Sequence, residues 1–327
     1  IWPRIWLGEP AAPRFGFQLT FFRVRTGLAA GNPSRFAARQ LLFAHAALTD
    51  LAAGSHRHAA RTARWNGDPG AMLAHAAPGG LDLRLGDWRL AETAGAGAGR
   101  PSLAARFGSE PGGDASAAFT LELRLERTGP RLLQGDRGFS RKGPDERHAS
   151  FYVSEPQLAV GAMLVQHGRP ERLAGRGWLD HEWSDELLAD DTVGWDWVGI
   201  NLDDGAALTA FRLRRADGSA SWAGGSWRGA GQNAARAFAA DELAFEPARR
   251  WRSPATGASY PVEWRLRTPV GRHLVRALLA AQELDARSGV GSVYWEGLAE
   301  LLDPGGRRVG LGYLEMTGYA GRLRLGA

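Results

Sequence analysis

Asp180 and His181 sit between two tryptophans in the segment GRGWLDHEWS (175–184), and a second tryptophan pair follows in GWDWVGINLDDG (194–205). Trp178, Trp183, Trp195 and Trp197 are four of the chain's thirteen tryptophans, gathered in under a tenth of its 327 residues. A carboxylate flanked by apolar neighbours costs several kcal/mol to bury in charged form, so it must be paired, hydrogen-bonded or protonated. Those conditions also tune a general acid. Asp180 and His181 are therefore the candidate proton donors. Each tryptophan taken singly reads more readily as core than as a ligand contact, and Glu186, Asp190 and Asp191 read as solvated.

These residues need strands to position them. At period two, Trp178, Asp180 and Glu182 share one face, Leu179, His181 and Trp183 share the other, and Trp195, Trp197 and Gly199 fall together. The ten residues Ser184 to Val193 read as a polar loop joining two strands that pair as a hairpin, with the four tryptophans buried in one neighbourhood.

Other chemistries have less behind them. His56 and His58 form an HxH in what reads as an exposed turn, with no third ligand nearby, so no metal is expected. No GxSxG elbow is present for serine catalysis. The absence of cysteine removes disulfides, thiolate sites and a cysteine nucleophile. Glycine-rich GAGAG lies in ETAGAGAGRP (92–101) without a phosphate-binding context and reads as a loop, as does GSEPGGDAS (108–116).

Short alternating segments recur between Gly, Pro and Asp breaks: 15–25, 81–90, 118–126, 158–166, 197–202, 207–215, 260–268 and 309–319. The class is all-β, an antiparallel sandwich or barrel. FAARQLLFAHAALTDLAAG (36–54) admits a helix from its alanine and leucine content and a strand from the alternation of LLFAHAALTD. The length suits two domains, 1–150 and 151–327, meeting after the polar run GFSRKGPDERHAS. The formal charge of +5 comes from scattered arginines, with Lys142 the sole lysine, and no basic stripe interleaved with aromatics points to nucleic acid. Apolar runs such as AALTAF fall far short of the roughly 18 residues of a membrane-spanning helix. The chain opens at Ile1 with no leader-like region, which suggests a leader or opening segment removed.

Seven ordered blocks then carry a resemblance: LLQGDRGFSRKG (132–143), ASFYVSEPQLAVGAMLV (149–165), GRGWLDHEWS (175–184), GWDWVGINLDDG (194–205), ALTAFRLRRADGS (207–219), YWEGLAEL (294–301) and GLGYLEMTGY (310–319). In order from Phe15 to Tyr319 the chain resembles the lipocalin-like carotenoid 1,2-hydratase family, and most of all its predicted secreted hydrolase branch. The resemblance implies two lipocalin-like antiparallel β-barrel or sandwich domains packed side by side, with an apolar ligand cavity. It implies catalytic positions at Asp180 and His181, and ligand contacts at Tyr152, Trp178, Trp183, Trp195, Trp197, Tyr294 and Glu315. It further implies a periplasmic or secreted protein that binds a long isoprenoid or lipid without cofactor, hydrates or hydrolyses it, and needs no obligate protein partner, with peripheral membrane contact compatible with such a ligand. The alternative is a non-catalytic lipid-binding or transport protein, since a barrel interior serves both roles.

Overall fold

In the computed structural model the described residues are 1–27, 31–34, 37–65, 73–76, 79–93, 102–108, 119–186, 188–287 and 293–322. The glycine-rich stretches read as loops at 92–101 and 108–116 lie largely outside them.

Alternation translates directly into strands. Phe119–Glu126, FTLELRLE, buries every first residue and exposes every second, as a strand with one wet face must. The segment 36–54, open between helix and strand, resolves as the strand Gln40–Asp50. The alanines that invited a helix are small inward and interface residues of a sheet paired on both sides. The segment 81–90 is two strands, Asp82–Leu85 and Trp88–Thr93, because Gly86 takes a positive φ of 62° and reverses the chain there.

The described strands form two antiparallel sheets, with one 3₁₀ turn at Ala240–Glu242. The first has thirteen strands, and its two ends, Ser55–Trp65 and Ala74–Ala76, lie against each other, which closes it into a barrel. Ile5, Leu7, Phe17, Leu19, Trp88 and Leu121 fill its interior. The second has ten strands and curls partway around its own core, which includes Val198, Ile200, Val262, Trp264, Trp295 and Met316.

The first sheet does not end near residue 150. The hairpin Ala149–Gln166 and Arg169–Trp183 pairs with Phe119–Glu126 on one side and with Trp2–Glu9 on the other, so it completes the first barrel. The passage between sheets falls at 184–193. That placement also corrects the expected hairpin: Gly194–Leu202 pairs with Ala207–Arg214 and Arg308–Thr317, not with Arg169–Trp183. The two tryptophan-rich strands meet face to face instead, with Trp178 and Trp197 edge to face at 6.3 Å.

The contact between the sheets uses the faces left over from the barrel interiors. Ile5 and Leu7 point into the first barrel, so Trp2, Arg4 and Trp6 point out of it. Val198 and Ile200 point into the second sheet's core, so Trp195, Trp197 and Gly199 point toward the first. Trp6, Trp178, Trp197, Leu298, Leu311 and Tyr313 make this interface apolar. Gly199 is needed there, since a Cβ would lie 2.3 Å from the Trp197 ring.

Candidate functional site

Four ionisable side chains meet in the middle of that apolar interface. Arg4, 3% exposed, donates from Nη1 to Asp180 Oδ2 at 2.6 Å, from Nε to Glu296 Oε1 at 2.5 Å and from Nη2 to Glu315 Oε2 at 2.6 Å. All three of its nitrogens are therefore committed. Its guanidinium also lies 4.0 Å from the centroid of the Trp197 ring, so that aromatic face serves as a platform for Arg4.

Each carboxyl reaches the cluster by strand geometry. Asp180 shares a face with Trp178, whose indole N–H donates to Asp180 Oδ1 at 2.8 Å, and Ser154, directly across the strand pair, donates to the same oxygen at 2.6 Å. Gln134 supports Ser154 from behind, donating at 2.9 Å, and accepts from Ser226 of the second sheet at 2.6 Å. Glu296 and Glu315 are register partners on adjacent strands. Trp195 donates to Glu315 Oε1 at 3.0 Å, whereas Glu296 Oε2 is buried without a partner.

One guanidinium faces three carboxyls, and a guanidinium stays charged. Ionising all three would leave two uncompensated negative charges in an apolar layer, so the cluster retains protons. Burial, foremost, raises Asp180, opposed by Arg4, Ser154 and Trp178. With three donors on its two oxygens, Asp180 is the member best supplied to hold charge. Burial likewise raises Glu296, against Arg4. Burial and then the charge of Glu296 push Glu315 up to about 8. The exchangeable proton therefore belongs to the Glu296 and Glu315 pair.

Aromatic residues frame the cluster. Trp197 donates its indole N–H to the Tyr152 hydroxyl at 2.9 Å. Tyr152 in turn lies near Lys142, the sole lysine, which is buried and pairs with Glu182 at 2.9 Å. On the other flank Trp2 meets Phe22 edge to face at 5.3 Å, Phe22 stacks on Phe43 at 4.4 Å, and the line continues through His45 to Tyr294. Trp2, Phe22 and Trp195 are only partly buried.

Of the residues singled out in the sequence, the structure gathers Asp180, Tyr152, Trp178, Trp195, Trp197, Tyr294 and Glu315 around Arg4. It separates His181 and Trp183, which occupy the opposite face of their strand. Trp183 is 50% exposed rather than buried. It stacks on Phe151 at 5.6 Å and packs against His181 at 4.9 Å, where the hairpin runs past the end of the barrel. His56 and His58 lie on the strand Ser55–Trp65 rather than in a turn, and His56 bonds Thr49 at 2.9 Å. Among the described residues no group of three His, Cys, Asp or Glu is arranged to hold a metal.

Sequence reasoning missed Arg4 and Glu296. The signal that marked Asp180, a charge flanked by apolar residues in mid-strand, is present at both, in WPRIW and YWEGL.

A family model described as AttH-like matches residues 5–319. An AttH candidate from Nitrosomonas europaea, known as a crystal structure, is 39% identical and has a TM-score of 0.85, with 97% of this chain and 91% of that chain covered. Kievitone hydratase from Nectria haematococca has a TM-score of 0.70 at 14% identity, covering 97% of this chain and 88% of that one. CghA with Sch210972 has a TM-score of 0.53 at 15% identity, covering 98% and 88%. The last two likenesses are of fold alone. No curated protein matches the sequence.

Proposed function

The chain belongs to the AttH-like family, and from that membership and the buried carboxyl cluster we propose that it adds water to an alkene of an apolar ligand of isoprenoid type, or removes water from the corresponding alcohol. One observation carries the reading: two opposed glutamic carboxyls share Arg4 in an apolar layer that favours retention of a proton. Hydration of an unactivated double bond needs a strong proton donor, a water on the cationic carbon and a base for the water's proton. In the forward direction Glu315 gives its proton to one alkene carbon, water attacks the other, and the proton released goes to Glu296. The ligand has gained one water, and the proton returns to Glu315 within the pair.

Asp180 acts as a positioning residue in this reading, because its oxygens are engaged by Arg4, Ser154 and Trp178. It fixes Arg4, and Arg4 fixes the pair. The aromatic flank through Trp2, Phe22 and Trp195 suits an apolar ligand, and the sequence resemblance supports the isoprenoid class. The fold neighbour named kievitone hydratase supports hydration as a chemistry this architecture hosts.

Carriage of a lipid without chemistry is a second reading, favoured by one observation. Of the four exposed large hydrophobic residues among those described, Leu133, Phe151 and Trp183 lie together on neighbouring strands.

The deciding experiment incubates the protein with neurosporene or lycopene in ¹⁸O-water and follows the mass gain of one labelled water. Turnover that falls by about 10²- to 10⁴-fold in Glu315→Gln is the expected result. Turnover unaffected by that change overturns the assignment. Tight binding of every isoprenoid tried, with no turnover and a mixed phospholipid set co-purifying, favours carriage.

A further inference from the structure

Arginines run along the whole chain, but strand pairing gathers their excess charge onto one face. Ala244–Arg252, Ser259–Thr268 and Gly271–Ala277 are consecutive antiparallel strands at one edge of the second sheet. Between Ala244 and Ala277 stand seven arginines and two glutamates, a net charge of +5, and the formal charge of the whole chain is also +5. The rest of the chain therefore balances to zero.

Register puts all seven arginines on the same side. Tyr260, Val262, Trp264 and Leu266 belong to the core, so Ser259, Pro261, Glu263, Arg265 and Arg267 lie on the outer face. Their cross-strand partners share that face: Arg249, Arg250 and Arg252 on one side, Arg272 and Arg276 on the other. Register shifts around Arg249 bring the consecutive Arg249 and Arg250 to one face. All seven are exposed. Arg249 pairs with Glu263 at 2.8 Å and Arg276 with Glu300 at 2.7 Å. Arg250, Arg252, Arg265, Arg267 and Arg272 make no ion pair among the described residues, and Arg250 and Arg267 reach only backbone carbonyls. Glu246, opposite Arg265, is the other acid of these three strands.

Stability does not explain the arrangement. Arg267 and Arg272 stand directly opposite one another, and like charges so placed destabilise a sheet. Charge, proline and bulges on an edge strand guard it against pairing with another chain, which accounts for Arg250 and Arg252 beyond Pro247. That does not account for Arg265, Arg267 and Arg272, one and two strands inward. Neighbouring strands lie about 5 Å apart, inside the roughly 8 Å screening length at physiological salt, so their charges act on a partner together.

We propose that this arginine face docks the protein on an anionic lipid bilayer. The choice of occupant rests on the apolar-ligand reading above, since a bilayer is where such a ligand dissolves. A nucleic acid fits less well. Phe245, Trp251, Tyr260 and Trp264 pack on the core side and leave no ring on the face for a base to stack on. The outer side of a curling sheet also forms no groove around a strand. Each arginine that reaches an anionic bilayer strengthens binding by about 5-fold.

The test is co-sedimentation of the full chain with vesicles of phosphatidylcholine alone and with vesicles of equal parts phosphatidylcholine and phosphatidylglycerol. The expected result is binding to the anionic vesicles, weakened by salt, and none to phosphatidylcholine. Arg265→Gln, Arg267→Gln and Arg272→Gln together should weaken it by about 10²-fold. The same loss of charge at exposed positions elsewhere, Arg137→Gln, Arg147→Gln and Arg169→Gln, should change it by no more than a few-fold. Arg250→Gln with Arg252→Gln, on the edge strand, is an independent check and should weaken it by roughly 25-fold. No preference for anionic vesicles, or an equal loss in the two triple variants, overturns the proposal. A duplex oligonucleotide that binds more tightly than the vesicles at matched salt, and loses that binding in the face variants, overturns it too. Vesicle binding needs no turnover, so Glu315→Gln should bind as the unaltered protein does. If no isoprenoid gains water the hydration reading falls, and the vesicle result still decides the face.

Discussion

Glu296 and Glu315 stand directly opposite one another on the adjacent strands Val293–Leu302 and Arg308–Thr317, and Arg4, from the other sheet, bonds to both. Like charges directly opposite in a sheet are destabilising. The pair is therefore held by the guanidinium and by a retained proton, and Arg4 joins Gln134 and Tyr152 among the side chains that tie the two sheets together.

Removing Arg4 should be severe. Arg4→Met strands buried carboxyls without their cation, a loss expected to cost about 3–5 kcal/mol. Adding Glu296→Gln to Arg4→Met should recover part of it, because the amide needs no counter-ion. Urea unfolding of the two single variants and the double variant measures the coupling, and strict additivity would contradict the arrangement.

Stability should fall as pH rises toward 8. Glu315 faces Arg4, Glu296, Asp180 and Trp195, with the protonated phenols of Tyr152, Tyr294 and Tyr313 around the same layer. Its folded-state value of about 8 lies above the ordinary 4.5, so the folded protein keeps a proton that the unfolded chain releases between those limits. The unfolded state then binds fewer protons, and the native state loses up to about 1.4 kcal/mol per pH unit across that window. The slope should be shallower in Glu315→Gln. Denaturation midpoints at several pH values, compared between the two proteins, check the sign.

The same proton governs turnover. If Glu315 is the acid, the rate of water addition should hold at mildly acidic pH and decline as pH passes about 8, where the acid form is lost. A profile that rises through that pH would assign the acid elsewhere.

The tryptophans should separate by face. Trp197→Ala removes a buried ring and the platform under Arg4, and should cost about 3–5 kcal/mol. Trp183→Ala, at a half-exposed ring on the opposite face, should cost less than about 1 kcal/mol. Gly199→Ala should cost about 1–3 kcal/mol through collision with the Trp197 ring, with a changed near-ultraviolet dichroism as its signature.

The sequence by itself determined the all-β class and the faces of the strands that its alternation marked. Period-two alternation is a local property, so it placed Asp180 with Trp178 and opposite Leu179, and it put Trp195 and Trp197 together. It also made both charges in WPRIW and YWEGL visible as anomalies. What it did not contain was the pairing of strands far apart in the chain. Arg4 meets Glu296 and Glu315 across separations of 292 and 311 residues, and no local pattern records which outward face of one sheet packs on which face of another. The expected hairpin failed for the same reason, since adjacent tryptophan-rich strands satisfy alternation equally well in one sheet or in two. His181 illustrates the limit within a single strand: one residue beyond Asp180 it turns to the other face, and only the end of the barrel decides that this face is left open.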